Sequence, residues 1–134
     1  MKTIEHIGIA VSDLEQSIEL YTALLDTHCY KTEVVESEQV VTAFFQKGEQ
    51  KIELLASMSP EGTIARFIDK KGQGIHHIAF AVENIKAEVQ RLKAAGFVFV
   101  SEEPKRGADN KWVVFMHPKS SGGVLVELCQ EIMP

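Results

Sequence analysis

The sequence predicts an α+β fold made of two βαβββ modules in tandem, and three features predict it. A nine-residue pattern occurs twice, each copy runs into a capped helical repeat, and a strand pattern holding one Glu also occurs twice. The first copy is His6-Ile7-Gly8-Ile9-Ala10-Val11-Ser12-Asp13-Leu14. It returns 71 residues later as His77-Ile78-Ala79-Phe80-Ala81-Val82-Glu83-Asn84-Ile85. Each copy opens on His, continues as a short apolar strand, and ends in a polar turn with an N-cap residue, Asp13 or Asn84.

A helix follows each cap. Leu14, Ile18, Tyr21 and Leu25 share one helix face, and Ile85, Val89, Leu92 and Ala95 repeat that spacing, with Gly96 as the stop. Strands are expected at 34–36 and 40–46 in the first half and at 97–100 and 112–117 in the second. Lys51-Ile52-Glu53-Leu54-Leu55 matches Leu125-Val126-Glu127-Leu128-Cys129, 74 residues on, and each sets a Glu in an apolar strand. Two segments differ between the halves. Residues 59–72 read as a capped linker helix with Pro60 in its first turn, and residues 103–110 read as a polar loop. The chain is expected to be a single domain, 1–134: module one at about 1–58, the linker at 59–72 and module two at 73–134.

Bulk properties exclude several classes. Apolar residues at 45% and charged residues at 25% suffice for a globular core. No apolar run approaches the roughly 20 residues needed to span a bilayer. The segment Met1-Lys2-Thr3-Ile4-Glu5-His6 lacks an apolar signal core, so a cytoplasmic location is expected and no membrane partner. A net charge of −5 with interleaved signs argues against nucleic acid. Cys29 and Cys129 form no CxxC pair and are expected to be reduced thiols rather than part of a disulfide framework or zinc knuckle.

The repeat points to a site. Two modules docked about a pseudo-two-fold axis share a core and bring equivalent residues together. Those equivalents are His6 with His77 and Glu53 with Glu127. Two imidazoles and two carboxylates suit a borderline divalent cation such as Zn, Ni, Co, Fe or Mn, which would also offset the cost of turning a Glu inward from an apolar strand. Strand alternation sends His76 to the face opposite His77. His28 and His117 read as solvated or hydrogen-bonded loop groups.

These residues resemble the vicinal oxygen chelate superfamily of glyoxalases, extradiol dioxygenases and antibiotic-resistance proteins. Longer segments resemble its methylmalonyl-CoA epimerase family. They are His6-Ile7-Gly8-Ile9-Ala10-Val11, Gly74-Ile75-His76-His77-Ile78-Ala79-Phe80, Phe115-Met116-His117-Pro118-Lys119-Ser120 and Gly122-Gly123-Val124-Leu125-Val126-Glu127-Leu128, with support from Thr63-Ile64-Ala65-Arg66-Phe67-Ile68 and Glu102-Glu103-Pro104. The resemblance implies a curved, mostly antiparallel eight-stranded sheet. It also implies one divalent ion (Co, Zn, Ni or Mn) held by His6, His77 and Glu127, with Glu53 completing the set.

The activity implied is epimerisation of an acyl-CoA, methylmalonyl-CoA, at C2 through a metal-stabilised enolate, with Glu127 and Glu53 as the proton-transfer groups. Lys119 is the substrate-binding residue expected, with Lys105, Arg106 and Lys111 on neighbouring loops. A homodimer is expected on family grounds alone. Two positions depart from the family pattern. Thr42 stands where some epimerases carry a second catalytic Glu, which leaves Glu53, a bound water, Glu36 or Glu38 as candidates for that role. Asp26-Thr27 stands after the first helix where Gly is frequent. The alternatives are a glyoxalase I-like lyase acting on a thiol adduct, which shares the ligand set, and a drug-binding module, which needs no metal.

Overall fold

Asp13 and Asn84 act as the sequence predicts. The Asp13 carboxylate accepts from the N–H of Gln16 at 3.0 Å and the Asn84 side chain from that of Ala87 at 3.0 Å, each satisfying an orphan donor at a helix start. A computed structural model describes residues 1–134. The first βαβββ run comprises β1 (Thr3–Ala10), α1 (Leu14–Leu25), β2 (Lys31–Val35), β3 (Val40–Lys47) and β4 (Gln50–Ser57). After α2 (Thr63–Lys71) the pattern returns as β5 (Gly74–Ala81), α3 (Ile85–Ala94), β6 (Lys105–Gly107), β7 (Lys111–Met116) and β8 (Val126–Glu131). The eight strands belong to one sheet. Its antiparallel ladders outnumber its parallel ones, since each run contains a single parallel pair, β1 with β4 or β5 with β8. No helix is long and apolar enough to cross a membrane.

The chain divides into two compact units, His6–His76 and a second formed by His77–Pro134 with Met1–Glu5. In the His6–His76 unit the strand order is β2-β3-β4-β1. One face of these strands packs Val11, Ala43, Phe45, Leu54 and Ala56 against Leu14, Ile18, Tyr21 and Leu25 of α1. Phe45 and Leu54 are wholly excluded from solvent, and full burial of each such side chain stabilises by roughly 1.5–3 kcal/mol. The opposite face is covered at one end by α2, where Ile64, Phe67 and Ile68 meet Ala10, Val40 and Leu55.

In the other unit the order is β5-β8-β7-β6. Ile85, Val89 and Leu92 of α3 pack on Val114, Met116 and Leu128. On the exposed side of α3, Arg91 Nε donates to Glu88 at 2.6 Å. That guanidinium holds the Glu88 carboxyl at about 2, below its ordinary 4.5. A depressed carboxyl stabilises the fold above its unfolded pKa, and that contribution fades as pH falls from about 4.5 towards 2. Glu88→Gln should therefore lower the melting temperature at pH 7, with the gap to the parent closing on acidification. Equal melting temperatures at pH 7 would contradict this.

Several expected boundaries move, among them the start of β2, which lies at Lys31 rather than Val34. The linker helix starts at Thr63 behind the N-cap Gly62, so Pro60 lies in the preceding turn rather than in the helix. A Cβ at residue 62 would collide with Ser57 Oγ, which is why the chain turns on glycine there. Residues 97–100 do not form a strand. Their pairing shrinks to a bridge between Phe99 and Met116, because Val98 N–H donates to Ser120 Oγ at 2.8 Å instead of to a strand neighbour. The missing strand is β6, inside the segment expected as a polar loop. The β6–β7 turn carries Asp109 and Asn110 at φ 60° and 57°, the left-handed geometry of tight hairpins.

Candidate active site

Strand register sets the site in each unit. In His6–His76, Glu53 on β4 lies opposite Gly8 of β1 and Phe44 of β3. Paired residues share a sheet face, and residues two apart on a strand share it too. Glu53, Phe44, Gly8 and His6 therefore point to the face opposite α1. There His6 Nε2 lies 3.1 Å from Glu53 Oε1. Both side chains are buried.

The second unit repeats the register. Glu127 on β8 lies opposite Ala79 of β5 and Phe115 of β7. His77, two residues before Ala79, brings its Nε2 to 3.0 Å from Glu127 Oε1, and both groups are again buried. The Phe115 ring stands edge-on to the His77 ring at 5.7 Å and 86°, which restrains the imidazole. A Phe thus faces the Glu across the ladder in both units. The sequence reading missed that partner, although Phe44 and Phe115 are visible in it.

Such pairs are chemically suggestive. A buried carboxylate costs free energy unless a donor or cation meets it, and in each unit an imidazole nitrogen lies beside it. An imidazole nitrogen beside a carboxylate offers the mixed N/O donors that divalent transition metals prefer, so the residues present in each unit fit such an ion.

The other candidates separate clearly. His76 faces away from His77, with its ring edge-on to Phe67 of α2 at 5.0 Å. His28 is exposed, and His117 Nδ1 accepts from Lys119 N–H at 3.2 Å at the start of a 3₁₀ turn. Thr42 is fully buried, and its hydroxyl donates to the Glu33 carbonyl at 3.3 Å. Glu36 and Glu38 sit past the end of β2 in a 3₁₀ turn. Lys119 and Lys105 are exposed, while the Arg106 guanidinium lies 5.7 Å over the Trp112 ring. Lys111 is not a surface cation. It is buried, with Glu5 at 4.0 Å and Glu131 at 3.9 Å.

Residues 5–115 match the model of the Glyoxalase/Bleomycin resistance protein/Dioxygenase superfamily. The mitochondrial methylmalonyl-CoA epimerase of Homo sapiens is 41% identical over 95% of this chain and 73% of its own length. The ethylmalonyl-CoA/methylmalonyl-CoA epimerase of Cereibacter sphaeroides is also 41% identical, over 95% of this chain and 96% of that protein. The crystal structure of methylmalonyl-CoA epimerase from Mycobacterium tuberculosis superposes with a TM-score of 0.93 at 34% identity, covering 98% of this chain and 89% of that one.

Proposed function

We propose that this chain, which belongs to the Glyoxalase/Bleomycin resistance protein/Dioxygenase superfamily and within it to the methylmalonyl-CoA epimerases, epimerises methylmalonyl-CoA at C2. One observation carries the reading. A buried His–Glu pair is built twice by the same strand register, in a chain that matches these enzymes over nearly its whole length.

The C2 proton lies between a thioester and a carboxylate, so its removal leaves an enolate whose charge delocalises onto the thioester oxygen. We assign the two pairs, His6 with Glu53 and His77 with Glu127, as the ligands of one divalent ion. Bound there, the ion would supply Lewis-acid stabilisation of the charge developing on oxygen. The donor set suits Zn, Ni, Co, Fe or Mn. The imidazoles have no role as bases in this scheme, because ligation uses their free nitrogens. Proton transfer falls to carboxylates, which need hydrogen-bond reach of C2 on each of its faces. Glu127 serves one face. A carboxylate of the His6–His76 unit serves the other, and Glu53 is the first candidate. Lys119 is exposed on the 3₁₀ turn after β7, where its ammonium can meet an anionic group of CoA.

The test is a paired assay. In D2O the protein should wash deuterium into C2 of methylmalonyl-CoA and interconvert its epimers, and it should leave a glutathione hemithioacetal unchanged. Turnover of the hemithioacetal alone would instead establish a glyoxalase-type isomerisation. Inactivity towards both, without metal, would point to a binding module.

A further inference from the structure

We propose that Phe115 is a positioning residue, fixing the plane of the His77 imidazole and thereby setting how tightly His77 and Glu127 hold a divalent ion; this rests on the ligand assignment. Strand register brings Phe115 to that place. It is the cross-strand partner of Glu127 on β8, and Glu127 is the partner of Ala79, two residues after His77 on β5. The four side chains therefore point to one face of these strands. Val114 and Met116, on either side of Phe115, point to the other face and pack there on α3. The Phe115 ring is no part of that core.

A histidine ring turns easily about its Cβ–Cγ bond, because that torsion has broad wells. A ligand nitrogen, by contrast, must aim its lone pair at the ion. The 3.0 Å approach of Nε2 to Glu127 Oε1 fixes one atom of the ring. A second ring laid against the first fixes its plane. The centroids of Phe115 and His77 are 5.7 Å apart and their planes stand at 86°, inside the range of about 4.5–7 Å that edge-to-face aromatic pairs favour. His77 is buried, so the groups packed on it, rather than water, decide how the ring lies.

The same register sets Phe44 opposite Glu53 in the His6–His76 unit. Phe44 is wholly buried, with the Tyr30 ring at 6.0 Å and the Lys31 ammonium at 5.9 Å, so a change there disturbs several contacts at once. Phe115 is half-buried and outside the α3 core, which lets orientation be read apart from packing. An aliphatic side chain of similar bulk would fill its space, yet it can follow the imidazole as it turns, whereas a perpendicular ring blocks the turn. Loss of a group that orients a metal-binding histidine weakens metal retention by about 10–100-fold.

The experiment needs no turnover. It measures Zn2+ and Co2+ affinity of the metal-free full chain by competition with a chromogenic chelator, and the visible spectrum of the Co2+-loaded protein. Phe115→Leu should weaken both affinities by about 10–100-fold and shift the Co2+ bands, while the metal-free variant still melts cooperatively. Phe115→Tyr, which keeps the ring, should keep the parent's affinities and bands. Affinities within about tenfold of the parent in Phe115→Leu overturn the proposal. So does an equal loss in Phe115→Leu and Phe115→Tyr, which marks lost packing rather than lost orientation. If Phe115→Leu does not fold, Phe115→Met is read by the same criteria. A parent protein that retains neither ion overturns the ligand assignment itself, a result distinct from a metal-binding parent with an indifferent Phe115.

Discussion

Glu127→Gln is expected to reduce C2 proton exchange by about 10²–10⁴-fold, the range typical of a lost acid–base group, in a protein that still folds. Glutamine keeps the volume of the buried side chain, and its amide oxygen can still face His77 Nε2, now 3.0 Å from the carboxylate. It cannot take up a proton. Metal content should fall less than activity, because an amide oxygen remains a ligand, though a weaker one without charge. The decisive readout is the ratio of the two losses, from elemental analysis beside deuterium wash-in. Exchange within tenfold of the parent at unchanged metal content would remove Glu127 from proton transfer. Glu53→Gln is the contrast. If Glu53 only ligates, metal retention should weaken first and turnover recover when the ion is added in excess; if it also moves a proton, turnover should stay about 10²–10⁴-fold down at full metal content.

His77→Ala is expected to abolish metal binding and activity together, while His76→Ala leaves both in place. The two histidines are adjacent on β5 and alternate across it. His77 meets Glu127 and the edge of Phe115, and His76 meets Phe67. On the proposed ligand set the variant lacks one donor to the ion, and Glu127 loses the imidazole 3.0 Å away, a hydrogen bond to a charged group worth about 1.5–3 kcal/mol. His76→Ala should lower the melting temperature modestly through lost contact with Phe67. Stoichiometric metal in His77→Ala, or loss of the ion in His76→Ala, would reverse the assignment.

The repeat itself was legible in the sequence. Its two copies carry the same His, the same cap and the same Glu, and each copy folds with the register its twin shows. That is why His6 with His77 and Glu53 with Glu127 stand out as equivalent positions in the chain alone, and each His meets the Glu of its own unit. The helix faces were legible for a related reason: burial against a sheet demands a 3.6-residue apolar period, and α1 and α3 keep it.

Strands at the sheet edges were not legible. Residues 97–100 are apolar and read as a strand, while Lys105–Gly107 are polar and read as a loop, and the structure reverses both. Apolar pattern reports burial, whereas a strand is made by backbone pairing. An edge strand such as β6 needs only a neighbour, here β7, and one of its pairs is held by Arg106 over Trp112. The start of β2 was missed in the same way, since Lys31-Thr32-Glu33 has no apolar character to give it away. The sequence by itself carried the duplicated strand and helix pattern and the matched positions His6 with His77 and Glu53 with Glu127, because those follow from repeated local patterns. Only the tertiary structure decided that Glu33 shares a face with Glu53 and that Lys111 is buried against Glu5. Both facts depend on which residues stand opposite each other or meet across the fold, and that comes from long-range contact rather than from local composition.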